Sequence, residues 1–356
     1  MPKKAAAVLI SSLILFLALG YLRWSHRTAP PSPVPSEDRI TQVDSGTVRG
    51  YSYWVFNQAD FPCGKQGDHQ FMVLQKGTVR DNRNLLVRFT GGFAGFFYPY
   101  GQGSKNYFPD QSFVSLLSAD SYFKEPSLSG LDRQVADTSG WRIMAPSYCS
   151  HDFYLGTGQY NSEDGFARWG KSADEQALNF VQKNFPTNKI VTYGTSAGAM
   201  GAYIEGISRD KVAGIIMDSF AGDLSSVAKA CESGIQPYLS SWPCTCAGQT
   251  CVRTLSSRIG FTLGDEPYRA ITAGQVKTPI YLIWDSNDYI YNGHADLQFS
   301  SLAQALRKAN PGGKSEAVEV CVNNPQTGQK CGRHSPTLAN NPATRQVYDW
   351  VLAATK

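Results

Sequence analysis

Charge is scarce in this chain: 17% of its 356 residues are Asp, Glu, Lys or Arg, and only five are His. No acidic residue precedes Glu37, whereas Lys3, Lys4, Arg23 and Arg27 do, so the formal net charge of +4 belongs wholly to that leader. The remainder is neutral. A neutral body has no electrostatic footprint for a polyanion, which excludes nucleic-acid binding as the main business of the chain. With 42% apolar residues the composition is not that of a disordered protein, and the length allows one large domain or two small ones. No internal repeat is present. Recognition must then come from shape, hydrogen bonds and aromatic surface.

Ala5 to Leu22 is an unbroken uncharged, mostly aliphatic run behind two lysines, long enough to span most of a bilayer. Residues 1–22 read as a signal peptide or signal anchor. Ala18-Leu19-Gly20 offers a cleavage site, but the length of the run and the arginines that follow favour the anchor. Pro30, Pro31, Pro33 and Pro35 make residues 23–39 a semi-rigid linker, and residues 40–356 form the globular domain. Eight cysteines in an exported chain suggest disulfides. Cys244, Cys246 and Cys251, with Cys231 nearby, have no histidine close by and match no common zinc spacing, so a metal site is the weaker reading. No Asn-x-Ser/Thr sequon occurs, which favours a bacterial envelope location over a glycosylated eukaryotic one.

Phe71–Leu74, Leu85–Phe89, Ile143–Ala145, Ile190–Tyr193, Val212–Met217 and Ile280–Trp284 each read as a buried strand. Amphipathic stretches lie between them, such as Ser172–Asn184, where Ser172 is the expected N-cap. The alternation predicts an α/β fold, a mostly parallel sheet with helices on both faces, its chemistry at the carboxyl ends of the strands. Residues 230–272, rich in Cys, Pro, Gly and Ser, read as a disulfide-pinned Cys-rich insertion.

Lys189 to Ile207 carries the strongest chemical signal. A buried strand runs into Gly194-Thr195-Ser196-Ala197-Gly198, and a helix with small residues follows. This strand, sharp turn and helix is what the nucleophile elbow of an α/β-hydrolase fold requires. A serine hydroxyl needs an imidazole as base and a carboxylate to fix that base's tautomer, in the chain order serine, acid, histidine. Only His294 and His334 follow Ser196. His334, on a late loop before the helical pattern Ala343–Ala354, is favoured; His294, six residues past Asp288, is the alternative. Two carboxylates end the strand from Pro279, and Asp288, on the loop, is preferred to Asp285, at the strand end. The amide of Ala197 is one expected oxyanion donor, and the glycine pair Gly91-Gly92, with Phe93, supplies the second from Gly92 and Phe93. Phe93, Phe96, Phe97, Tyr98 and Tyr100 beside it make an aromatic wall suited to sugar rings or an acyl chain.

Together these motifs resemble the pectin acetylesterase and Notum-type carboxylesterase family. Cys63-Gly64 is similar to its early cysteine and glycine turn, Gly91-Gly92-Phe93 to its oxyanion loop, and Tyr148-Cys149-Ser150-His151-Asp152 to its Tyr-Cys-Ser-x-Asp motif. Asp218-Ser219 resembles its Asp-Ser after the sixth strand, and Cys331-x-x-His334 its Cys-x-x-His. Three positions depart: Thr90 stands where the family has an acid, Phe93-Ala94 where Trp-Cys is common, and Phe220 where a glycine follows Asp-Ser. These leave the machinery in place and bear on the substrate. With the export signal of the leader, the resemblance implies an extracytoplasmic serine esterase without cofactor or metal, working through Ser196, Asp288 and His334 on acylated polysaccharide. It also implies a Cys63–Cys149 bridge; Cys321–Cys331 is expected from proximity. His151 and Asp152 read as strand-end hydrogen-bonding residues, with a substrate contact or support of the oxyanion loop as the functional alternative. The rival readings are an esterase for lipid or longer acyl chains, a peptidase or acyltransferase on the same triad, and a membrane-tethered, non-catalytic binding protein on a hydrolase scaffold.

Overall fold

The computed structural model describes residues 39–62, 67–77, 83–91, 130–148, 152–161, 166–235, 266–324 and 328–356. The expected leader 1–22, the linker up to residue 38, Cys63, Cys149 and residues 236–265 of the expected insertion lie outside them. Among the described residues no helix is long and apolar enough to cross a membrane.

The described strands are β1 Ile40–Val48, β2 Tyr51–Pro62, β3 Asp68–Lys76, β4 Leu85–Phe89, β5 Arg142–Pro146, β6 Gln159–Asn161, β7 Phe166–Arg168, β8 Ile190–Thr195, β9 Val212–Asp218, β10 Ile280–Asp285 and β11 Glu316–Val320. Nine of them form one sheet in the order β1-β2-β3-β5-β4-β8-β9-β10-β11, and β6 and β7 pair as a separate hairpin. β1, β2, β3 and β5 join antiparallel to their neighbours in turn. From β5 onward every pairing is parallel. An antiparallel entry, then a parallel block whose first two strands are swapped, is the strand order of the α/β-hydrolase fold.

The described helices are α1 Leu131–Ser139, α2 Gly170–Asn184, α3 Gly198–Ile207, α4 Leu224–Glu232, α5 Pro267–Thr272, α6 Asp296–Ala309 and α7 Pro342–Ala354. The strands sort them by simple alternation. Ile280, Leu282 and Trp284 of β10 join a core with residues of α2, α3 and α6, while Tyr281 and Ile283 join another with α1 and α7. Both faces are therefore dry. Each Leu, Ile, Val or Phe buried there is worth about 1.5–3 kcal/mol relative to exposure, which is why the interior strands read as unbroken apolar runs.

The start of α2 differs from the expectation. Its N-cap is Trp169, with no side-chain cap, and Ser172 lies inside the helix. The amide of Gly170 instead donates to the buried carboxyl group of Asp152 at 2.8 Å, so a residue eighteen positions upstream caps the first turn. Both ends of the expected insertion are helical. At its exit the buried Glu266 accepts from the amide and hydroxyl of Ser225, each at 2.7 Å, and from Arg269 Nε at 2.8 Å, clamping α5 to α4.

Candidate active site

The parallel strands end together, with Phe89 paired to Gly194 and Thr195 to Asp218. Just past that line Ser196 turns the chain from β8 into α3 with φ at 52°. Such a left-handed conformation costs a non-glycine residue about 1–3 kcal/mol and needs surroundings that impose it. Here the Ser196 amide donates to Asp218 O at 2.7 Å and the Ser196 carbonyl accepts from the Ala199 amide at 2.9 Å. The two flanking glycines let strand and helix meet: a Cβ on Gly194 would stand 1.9 Å from Gly198 O, and one on Gly198 2.3 Å from Phe89 O. Neither position has room for a side chain.

Two carboxylates lie at the end of β10, Asp285 as its last residue and Asp288 just beyond, and both are fully buried. Asp285 Oδ1 accepts from the amides of Asn287 (3.0 Å) and Gly332 (2.8 Å), and Oδ2 from Val322 (2.6 Å). All its capacity goes to holding loops. Asp288 accepts the Ile290 amide at 3.0 Å on Oδ1 and faces His334 Nδ1 at 2.7 Å with Oδ2. A carboxylate only accepts, so Nδ1 carries the proton and Nε2 keeps its lone pair. Burial pushes His334 down, but the charge and hydrogen bond of Asp288 and the charge of Asp218 outweigh it, and the ring titrates above its ordinary 6.5. With both oxygens of Asp288 engaged, the acid serves His334 and not His294, whose amide caps the turn at Tyr291 O.

The loop that brings His334 here is fastened at both ends. Cys321 is bridged to Cys331 with Cα atoms 4.7 Å apart, and Gly332 is held by Asp285 as above. Beyond the histidine, the Ser335 amide donates to Ser219 Oγ at 2.9 Å, the Thr337 amide to Asp218 Oδ2 at 3.1 Å, and the Thr337 hydroxyl to the same carboxylate. Ser219 Oγ in turn donates to Asp218 Oδ1 at 2.9 Å, and Ser219 has φ at 61°. Thus the turn at Ser196 hangs from the main chain of Asp218, and the His334 loop hangs from its side chain and that of Ser219. Burial raises Asp218 to about 6, against the hydrogen bonds from Thr337 and Ser219 and the charge of His334.

On the oxyanion side, Gly92, Phe93 and the aromatic wall lie outside the described residues. Gly91 is described: a Cβ there would stand 2.9 Å from Ser196 Cβ and 2.9 Å from Thr195 O, so the glycine pair begins in contact with the elbow. Ala197, the other expected donor, is buried where α3 begins. Helix-start amides have no intrahelical partner and suit a negative charge. Asp152 holds backbone: its carboxylate accepts from the amides of Tyr154 (3.0 Å), Gly156 (3.1 Å) and Gly170, and burial raises its pKa. Tyr154 ties that segment to the residue before the glycine pair, its hydroxyl donating to Thr90 O at 3.0 Å. His151 lies outside the described residues.

Two buried features were not legible in the sequence. Arg88 donates to Asp132 at 3.1 Å and to Thr195 Oγ1 at 3.0 Å and lies 4.4 Å from the Tyr193 ring centre, under the elbow. Phe220 stacks on Phe153 with centroids 5.2 Å apart. An arginine within an apolar strand was the one visible signal for the first. Among the described residues no cluster of three or more His, Cys, Asp or Glu is arranged to hold a metal ion.

No family model matches the chain, and no curated protein matches it in sequence. Solved structures similar to it include a carboxyl esterase from Bacillus coagulans (TM-score 0.49, 11% identity, 87% of this chain and 100% of that one). An S-formylglutathione hydrolase from Agrobacterium tumefaciens is similar too (0.46, 10%, 79% and 90%). So is the Wnt deacylase Notum from Drosophila (0.46, 13%, 78% and 84%). The α/β-hydrolase fold itself rests on this chain's own strand order and on the strand, turn and helix around Ser196.

Proposed function

We propose that this chain is a serine carboxylesterase. The observation that carries the reading is a histidine 2.7 Å from a buried carboxylate, on a loop fastened to the same Asp218-Ser219 segment that holds a serine at φ 52°. Ser196 Oγ attacks the ester carbonyl carbon, the C=O π pair moves onto oxygen, and the hydroxyl proton passes to His334 Nε2. Asp288 stabilises the imidazolium so formed. Ala197 N–H and amides of Gly92 and Phe93 receive the oxyanion, each donor worth about 10²–10³ in rate. Collapse breaks the bond to the alcohol oxygen, which takes the proton from Nε2 and leaves acyl-Ser196. Water then attacks the acyl carbon, giving its proton to Nε2, and the carboxylic acid departs as Ser196 recovers its proton.

The motif resemblance to pectin acetylesterases and Notum-type esterases supports acetylated polysaccharide as the substrate class. The apolar leader, the proline-rich spacer and the Cys321–Cys331 bridge at the histidine loop support work outside the cytoplasm, tethered or secreted through the N-terminus. An ester panel tests class and substrate together: acetylated oligosaccharides and p-nitrophenyl esters of increasing chain length, with Ser196→Ala as blank. Turnover of acetyl esters that Ser196→Ala abolishes is the expected result. A preference for long acyl chains would move the substrate class, and no Ser196-dependent turnover would favour a binding protein.

A further inference from the structure

We infer that Asp218 is a second carboxylate in the service of His334: a positioning residue that sets the histidine against the nucleophile and helps to hold the imidazolium formed during attack. The inference rests on the serine-esterase reading and assigns a function to a residue outside the serine, acid and histidine.

The geometry is specific. One residue supplies the carbonyl that accepts the Ser196 amide at 2.7 Å and the carboxylate oxygen that accepts the Thr337 amide at 3.1 Å, three residues past His334. Its second oxygen accepts from Ser219 Oγ, which accepts the Ser335 amide, each bond 2.9 Å long. The elbow and the residue next to His334 are thereby tied through a path of a few bonds. Asp218 is fully buried, and among the described residues every hydrogen bond to its carboxylate comes from a neutral donor. An ionised carboxylate in such a place is expensive. Its titration near 6 is the mark of that cost, and the charge it interacts with is that of His334, each raising or lowering the other in the favourable sense. A residue that costs stability beside a reactive group is the pattern of function retained against stability. Asp218 is fully buried beneath the site, out of reach of a bound ester, so its effect belongs in kcat.

Asp218→Asn tests this. Hydrolysis of p-nitrophenyl acetate, corrected with the Ser196→Ala blank, should show kcat lowered about 10- to 100-fold, part of the 10²–10⁴ that general-base catalysis supplies. KM should hold; the new amide oxygen keeps the Thr337 donors and its NH₂ faces Ser219 Oγ, a hydroxyl that can turn to accept, so Tm at pH 8 should stay level. In a His334→Ala background the same substitution should leave the residual rate unchanged, because Asp218 acts through the histidine. Equal losses in both backgrounds, or a fall in Tm with kcat intact, would overturn the inference. If Asp218→Asn does not fold, Thr337→Val, which keeps the charge and removes one bond to it, carries the same background comparison with a smaller effect. Turnover surviving in Ser196→Ala would instead defeat the esterase reading itself.

Discussion

Asp288→Asn and Asp285→Asn are chemically the same change three residues apart, and the structure gives them different consequences. In Asp288→Asn the new amide has one acceptor oxygen where two donors now converge, the Ile290 amide at 3.0 Å and His334 Nδ1–H at 2.7 Å. If the oxygen stays with Ile290, the NH₂ group faces Nδ1, which must become an acceptor; Nε2 then holds the proton and cannot take one from Ser196. If the oxygen turns to Nδ1, two buried donors oppose each other at Ile290, at about 1–3 kcal/mol. The wrong tautomer is favoured, and the charge that stabilises the imidazolium is gone, a charge-assisted bond worth about 1.5–3 kcal/mol. Together these predict a kcat loss of about 10²–10⁴-fold with KM nearly unchanged. Asp285→Asn leaves an amide opposed to the Val322 amide now 2.6 Å from Oδ2, again about 1–3 kcal/mol, but spent on loop stability. At about 2–4 °C per kcal/mol for a domain of this size, its Tm falls by several degrees and its kcat stays within about tenfold. Steady-state kinetics on p-nitrophenyl acetate beside a thermal melt reads both. A larger kcat loss for Asp285→Asn would refute the assignment.

Gly91→Ala introduces a Cβ 2.9 Å from Ser196 Cβ and 2.9 Å from Thr195 O; it should displace the oxyanion loop and lower kcat about 10- to 100-fold while circular dichroism stays unchanged. Because His334 titrates above 6.5 and must be neutral to accept the serine proton, the acid limb of kcat/KM should lie above pH 6.5 and move down in Asp288→Asn. The same raised pKa stabilises the fold fully below 6.5 and loses that contribution as pH climbs through the folded-state value, so the Tm gap between wild type and His334→Gln should shrink towards alkaline pH. Replacing Cys321 and Cys331 by serine opens a loop of sequence separation 10, which loop entropy values at about 3 kcal/mol. A Tm drop of about 6–12 °C should accompany a lower kcat, since that loop presents His334.

The interior strands were legible because burial on both faces favours near-continuous apolar runs, as in β10, where Ile280 to Trp284 is apolar and buried throughout. β1, β2 and β11 were not read, since edge and near-edge strands mix polar residues into the pattern: β11 reads Glu316-Ala317-Val318-Glu319-Val320, with neither glutamate buried. The elbow could be seen in the sequence because its glycines, serine and helix are consecutive. The acid was harder. Asp285 and Asp288 are equally buried, and only the three backbone amides gathered on Asp285 distinguish a loop anchor from a partner for histidine. The cap of α2 and the place of Asp218 were out of reach for one reason: both depend on contacts made across the chain, Asp152 to Gly170 and Asp218 to Thr337, 119 residues apart.

Labelling with a fluorophosphonate addresses the central claim without presuming a natural substrate. Mass spectrometry of the folded, oxidised chain should find a single adduct on Ser196, formed much more slowly in His334→Ala and Asp288→Asn. A folded chain that acquires no adduct, or acquires it on another residue, would contradict the account.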